Sequence, residues 1–173
     1  MPTPSIKRRL IAMVYETFLL LAVEMLSVAV WLLVTGNRHA PLYRHGLTVF
    51  LFLVTGAYFI YGWTNSGHTL AMKTWRMQLT LADGRRVPLT TAALRYLLAW
   101  GWFLPALAAC YLLGFRDKTR IGIALGIGIA GWALTALLDK DRQFLHDRLA
   151  GTRLVALPKR QVAPAAASTI EPT

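Results

Sequence analysis

The run from Ile121 to Leu138 is 18 residues long and holds no charged side chain. A helix needs about 20 such residues, with a range of about 17–25, to cross the hydrocarbon of a bilayer. Three further runs fall in that range: Leu10 to Val34 with 25 residues, Leu47 to Trp63 with 17, and Leu97 to Leu113 with 17. Only Glu16 and Glu24 interrupt the first of them. Trp63, Tyr96 and Tyr111 sit at or near the ends of the shorter runs, where amphipathic rings anchor a helix at the interface. Buried helices of a soluble bundle would carry a polar outer stripe, and these runs lack one. Charged residues make up 16% of the chain, against about 25% in soluble domains. The pattern predicts an all-α membrane protein, a bundle of four transmembrane helices over about 10–34, 47–63, 97–113 and 121–138, within one membrane domain over residues 1–157.

A net charge of +11 fits either a nucleic-acid binder or a membrane topology signal, and the distribution of the charges decides between them. Lys7, Arg8 and Arg9 precede the first run; Lys73, Arg76, Arg85, Arg86 and Arg95 lie between the second and third; Lys140, Arg142, Arg148, Arg153, Lys159 and Arg160 follow the fourth. Those fourteen fall on one side, while Arg38, Arg44, Arg116, Lys118 and Arg120 fall on the other. Basic residues concentrate in cytoplasmic loops, so both termini are expected in the cytoplasm. The charge then serves topology and contact with an anionic bilayer, with no nucleic acid as partner. The first run exceeds the core of a signal peptide, about 7–15 residues, and no A-x-A-like site follows it. An uncleaved helix is expected, despite the Arg8-Arg9 pair that export signals also carry. Cys110 is the single cysteine; it has no partner for a disulfide and reads as a buried thiol.

The polar segments carry patterns of their own. Thr64 to Thr69 is rich in turn formers. Trp75, Met77, Leu79 and Leu81 then alternate with Arg76, Gln78 and Thr80, which is a strand period. Asp83-Gly84 is a tight-turn signal, so Arg85 to Leu89 is expected to return as a second strand, giving a short cytoplasmic β-hairpin between helices 2 and 3. Thr90 or Thr91 is the expected cap of the third helix. Asp139 to Leu149 reads as polar and helical or irregular, Gly151 as a break, and Arg153 to Leu157 as another strand. Residues 158–173, composed largely of Pro, Ala, Ser and Thr, read as a disordered cytoplasmic tail.

Three motifs stand in order along the chain: Arg8-Arg9-Leu10-Ile11-Ala12 with Glu16 seven residues after Arg9, Gly67-His68-Thr69-Leu70-Ala71-Met72-Lys73, and His146-Asp147-Arg148-Leu149-Ala150-Gly151-Thr152. In this the sequence resembles the RDD family of bacterial membrane proteins, named for one arginine and two aspartates. The family has an arginine followed seven residues later by an aspartate, a G-x-T-x-G-[KM]-[KR] stretch, and a closing H-D-x-x-A-G-T element. Two positions depart from it: Glu16 stands at the aspartate and Ala71 at the second glycine. The glutamate keeps the charge on a longer arm, and the alanine argues against a backbone there that needs positive φ. The resemblance implies a bacterial inner-membrane location and hints at transport.

The buried carboxylates are the candidates for chemistry. Arg9 and Glu16 return to one helix face within about 20°, and Glu16 lies roughly 9 Å past Leu10, inside the hydrocarbon. Glu24 lies roughly 21 Å along, near the midplane. A carboxylate at that depth is protonated or paired. One reading makes Glu16 and Glu24 titrating groups of a monovalent cation–proton transporter; because four helices are few to enclose a path, it requires a homo-oligomer. The other makes them structural, with Glu16 paired to Arg9 and Arg95 and Glu24 hydrogen-bonded to a neighbouring helix. The protein would then act as a scaffold or partner-binding protein through its basic face, with Arg85, Arg86 and His146 mattering most. Asp147 is expected to pair with Arg95 or Arg9, and His146 to bond the hairpin. Gly67, Thr69 and Lys73 are the candidates of the middle motif. Gly122, Gly126 and Ala130, with Ala124 and Gly128 offset between them, permit close packing on another helix. One His-Asp pair gives no metal ligand set. No nucleophile set or phosphate-cradling loop is present either, so neither an enzyme nor a cofactor is expected.

Overall fold

The computed structural model describes residues 3–36, 41–138 and 143–158. Helix α1 spans Ile6–Thr35 and α2 Pro41–Asn65. A short α3 (Leu70–Thr74) and strand β1 (Met77–Leu81) follow. Then come α4 (Leu89–Ala99), a 3-10 turn (Trp100–Trp102), α5 (Leu104–Leu112), α6 (Lys118–Leu138), α7 (Leu145–Leu149) and β2 (Thr152–Ala156). The chain is built inside out relative to a water-soluble bundle. On α1 the buried residues are Arg9, Ala12 and Glu16, while Phe18, Met25, Leu26, Leu33 and Val34 are each at least 66% exposed. Such a surface is stable only against lipid.

Three helices are long and apolar enough to cross a membrane, Ile6–Thr35, Leu42–Asn65 and Lys118–Leu137. A fourth span results if α4 and α5, bent by 44° at their junction, act as one. The continuous third helix expected over 97–113 is therefore corrected. It starts at Leu89, breaks after Ala99 and resumes at Leu104. Pro105 lies in the first turn of α5; its ring clashes with the carbonyl four residues earlier and it donates no hydrogen bond, so the helix cannot run through. Gly101 fills the break, where an added Cβ would lie 2.3 Å from the Trp132 ring. The cap of α4 also differs: Pro88 stands at the N-cap with no side-chain bond, and Thr90 and Thr91 lie inside the helix.

The other spans extend beyond their apolar runs. Arg44 and His45 belong to α2, and Lys118 and Arg120 to α6, not to loops, because long basic side chains reach the interface from within a helix. Gly36 ends α1 in the left-handed conformation at φ 63°, its N–H bonded to the Leu32 carbonyl. Arg38, His39, Lys140 and Arg142 lie outside the described residues, as does the tail beyond Pro158.

The expected hairpin is the clearest correction. β1 forms where the alternation places it, and Asp83-Gly84 makes the turn, closed by the Leu81 N–H on the Arg85 carbonyl at 2.9 Å. Residues 85–88 form no strand. β1 pairs instead with β2, antiparallel, with Leu79 opposite Leu154 and Met77 opposite Ala156. Leu79, Met77 and Leu154 thereby join Met72, Val87, Ala92, Tyr96 and Trp63 in an apolar core at one end of the bundle. Gln143 seals the outer edge of β2, its amide accepting from the Leu154 N–H at 3.2 Å and donating to the Leu154 carbonyl at 3.4 Å. Arg8 ties α1 to the same assembly: its Nε donates to the Trp75 carbonyl at 2.6 Å and its Nη2 to the Arg76 carbonyl at 3.0 Å.

In α6 the close helix contact is made by Gly128, where an added Cβ would come within 2.9 Å of Ala106 on α5. Gly122 and Gly126 face open space, so the offset glycine, not the i+4 stripe, serves packing inside the chain.

Candidate functional site

Two polar clusters lie on the buried face of α1. The first is centred on Asp147, which is fully buried on α7. Its Oδ1 receives Nε of Arg95 at 2.8 Å and Nη2 of the same side chain at 2.6 Å; its Oδ2 receives Nη2 of Arg9 at 3.2 Å. Two buried cations against one carboxylate leave an excess positive charge, and aromatic faces take it up. The Arg9 guanidinium lies 4.0 Å from the centre of the Phe144 ring, and that of Arg95 lies 4.2 Å from the centre of the Trp63 ring. Burial pushes the Asp147 carboxyl up, but its neighbours, Arg95 foremost, then His146 and Arg9, outweigh it and hold its pKa below the usual carboxylate range.

His146 completes this cluster. The indole N–H groups of Trp102 and Trp132 both point at its Nδ1, at 3.4 and 3.3 Å. An atom that accepts two donors carries no proton, so the ring is neutral with its proton on Nε2, which stands 3.5 Å from Asp147 Oδ1. Burial lowers the His146 pKa; Asp147 opposes that and both arginines add to it, leaving it near 4. The expected bond from His146 to the hairpin is replaced by these two indoles, from the 3-10 turn and α6. The Thr152 hydroxyl donates to the Asp147 carbonyl at 3.1 Å, and Gly151 makes the turn between them at φ 65°. The whole 146–152 motif thus holds one carboxylate under two arginines.

The second cluster is centred on Glu16, about 10 Å further along α1. The Tyr58 hydroxyl on α2 donates to Oε1 at 2.5 Å, and the Thr69 hydroxyl donates to Oε2. Thr69 is also the N-cap of α3, accepting from the Met72 N–H at 3.3 Å. The pairing of Glu16 with Arg9 and Arg95 is not formed, because Asp147 holds both arginines. Glu24, deeper along the same helix, accepts from the Thr55 hydroxyl of α2 at 3.1 Å, which is the expected bond to a neighbouring helix.

The middle motif divides by role. Gly67 adopts φ 74°, and an added Cβ would meet the Gln78 side chain at 3.0 Å and the Leu79 carbonyl at 3.1 Å. It is there for the chain path. Ala71 is buried inside α3 with no positive φ, as its side chain implies. Lys73 is exposed on the last turn of α3 and joins neither cluster. Tyr58, Thr55, Trp102 and Trp132 are the members that sequence reading missed. Among the described residues no three of His, Cys, Asp and Glu converge as metal ligands.

A bundle whose outer face is apolar, whose inner face carries buried carboxylates, and whose end is closed by a small sheet defines a helical membrane protein. The chain belongs to the RDD family, whose model matches residues 3–151. No curated protein and no solved structure shows significant similarity to it.

Proposed function

We propose that this protein exchanges protons for monovalent cations across the bacterial inner membrane, with Glu16 as the exchanging carboxylate. The observation that carries this reading is the surroundings of Glu16. It is buried in the apolar span, and its partners are two neutral hydroxyls. With no fixed counter-charge at hand among the described residues, a proton or a small cation is what neutralises the carboxylate, and the two compete for it. Thr69 links that choice to the end of the bundle, since its hydroxyl also caps α3. Glu24 and Thr55 supply a second polar step about 12 Å deeper on α1. The Asp147 carboxylate, engaged on both oxygens by Arg95 and Arg9, serves as the fixed frame. In this reading the protein works as a homo-oligomer with both termini in the cytoplasm, and no catalysis is assigned to it.

The test is flux in proteoliposomes, with an imposed sodium or potassium gradient and a pH dye inside. Cation-dependent proton movement that Glu16→Gln abolishes, in protein that melts like wild type, is the expected result. Silence from well-folded wild-type protein across several cations would sink the proposal in favour of a scaffold acting through its basic face.

A further inference from the structure

At the start of α1 an open groove of about 610 Å³ runs between that helix and the turn joining α3 to β1, and Lys7, Arg8 and Arg76 line it with Trp75, Ile11 and Leu157. Among the described residues no acidic side chain lines it. Lys7 and Arg76 form no ion pair among the described residues, and both are exposed. Arg8 is held in place by the Trp75 and Arg76 carbonyls, which engage its Nε and one Nη2 hydrogen. Its remaining N–H groups are left for a further acceptor. Three cations around one concavity form an anion site that no acidic side chain among the described residues fills.

What continues from the groove selects the anion. Lys7, Ile11, Val14 and Phe18 are spaced by four, three and four residues, which puts them on one face of α1. Ile11 is 37%, Val14 59% and Phe18 68% exposed. A cationic groove at the end of a membrane span therefore opens onto an apolar track about 16 Å long, running into the hydrocarbon. A free phosphate ion would use the groove alone; a phospholipid would use both.

We infer that the groove of Lys7, Arg8 and Arg76 holds the phosphate of an anionic phospholipid, whose acyl chain lies along Ile11, Val14 and Phe18. Bound there, the lipid bridges α1 to the turn that follows α3, the helix whose N-cap hydroxyl, on Thr69, bonds Glu16.

The test is native mass spectrometry of the purified full chain, titrated with phosphatidylglycerol or with phosphatidylcholine of the same acyl chains. One saturable phosphatidylglycerol is expected, with phosphatidylcholine retained far more weakly. The double variant Lys7→Gln/Arg76→Gln is expected to weaken it about 25-fold, at about five-fold per basic residue near a membrane surface. Arg85→Gln/Arg86→Gln removes the same charge away from the groove and is expected to leave it intact. If the first double variant melts early in neutral lipid, Lys7→Gln alone carries the test, with about a five-fold loss. Equal loss in both double variants would reduce the effect to diffuse charge and overturn the inference. Displacement by millimolar glycerol 3-phosphate would overturn it too, since the acyl track would then contribute nothing.

Discussion

Arg95 reaches Asp147 through two nitrogens on a single carboxylate oxygen, Nε at 2.8 Å and Nη2 at 2.6 Å from Oδ1, and so leaves Oδ2 to Arg9. One acidic side chain thereby fixes α1, α4 and α7 against each other at one end of the bundle. The geometry depends on the planar fork of arginine.

Removing that carboxylate leaves two buried cations without a counter-charge. Asp147→Asn is expected to lower stability by about 3–5 kcal/mol, read by thermal or denaturant melting of the purified protein. Arg95→Lys is expected to be destabilising as well, since an ammonium presents a point charge where two donors of one rigid fork converge on Oδ1. Wild-type melting of Asp147→Asn would show that the aromatic faces alone hold the arginines.

The neutral state of His146 makes stability depend on pH. Its pKa is near 4 in the fold, against an ordinary value of 6.5 that the unfolded chain recovers. Between those values the unfolded chain takes up a proton that the fold refuses, so stability falls as pH drops from 6.5 towards 4. The loss amounts to about 3 kcal/mol and is complete once the folded ring titrates. Asp147, held below the usual carboxylate range, contributes stability that is fully present above that range and is lost at still lower pH. His146→Asn, which keeps an acceptor near Nδ1, is expected to flatten the upper part of this melting profile and leave the lower part.

Glu16 and its two hydroxyls separate positioning from exchange. Tyr58→Phe removes one donor and is expected to cost about 0.5–1.5 kcal/mol of stability. If Tyr58 orients the carboxylate, cation-dependent flux in proteoliposomes also slows, by up to about ten-fold for a lost bond of that strength. Glu16→Gln is expected to stop the flux with stability close to wild type, because the amide oxygen still accepts from one hydroxyl and the NH2 donates to the oxygen of the other. Flux unchanged in Tyr58→Phe would leave the tyrosine a packing role.

Gly67 and Ala71 make a paired test of the middle motif. Gly67→Ala must hold φ 74° with its Cβ against a carbonyl, which is expected to cost more than about 1 kcal/mol. Ala71→Gly restores the family's residue, yet Ala71 lies in a helix, so it is expected to destabilise by about 1 kcal/mol. Melting temperatures of the two variants decide both.

The spans were legible because an apolar run of sufficient length has few alternatives, and Arg9, Arg95 and Asp147 because isolated charges near such runs must find one another. Glu16 could be singled out for the same reason, but its partners could not. Tyr58 and Thr69 are ordinary residues 42 and 53 positions away, brought in by helix packing. Trp102 and Trp132 carry no sequence signal of their own; only the packing of the 3-10 turn and α6 brings their N–H groups to one ring nitrogen. Strand alternation revealed β1 and β2 but not their pairing, since a period of two names a face and never a partner; the tight turn favoured the nearer segment. The break at Gly101 did have a signal in Pro105, which the length and apolar character of the run around it left unused.

Arg9 and Asp147 are 138 residues apart, which has a consequence for biosynthesis. At about 5–20 residues per second, the ribosome delivers the counter-charge on the order of ten seconds after the first helix has been made. Through that interval Arg9 and then Arg95 lie in nascent helices without the carboxylate that joins them in the finished fold. A chain that stops short of residue 147 can insert its spans but cannot close them.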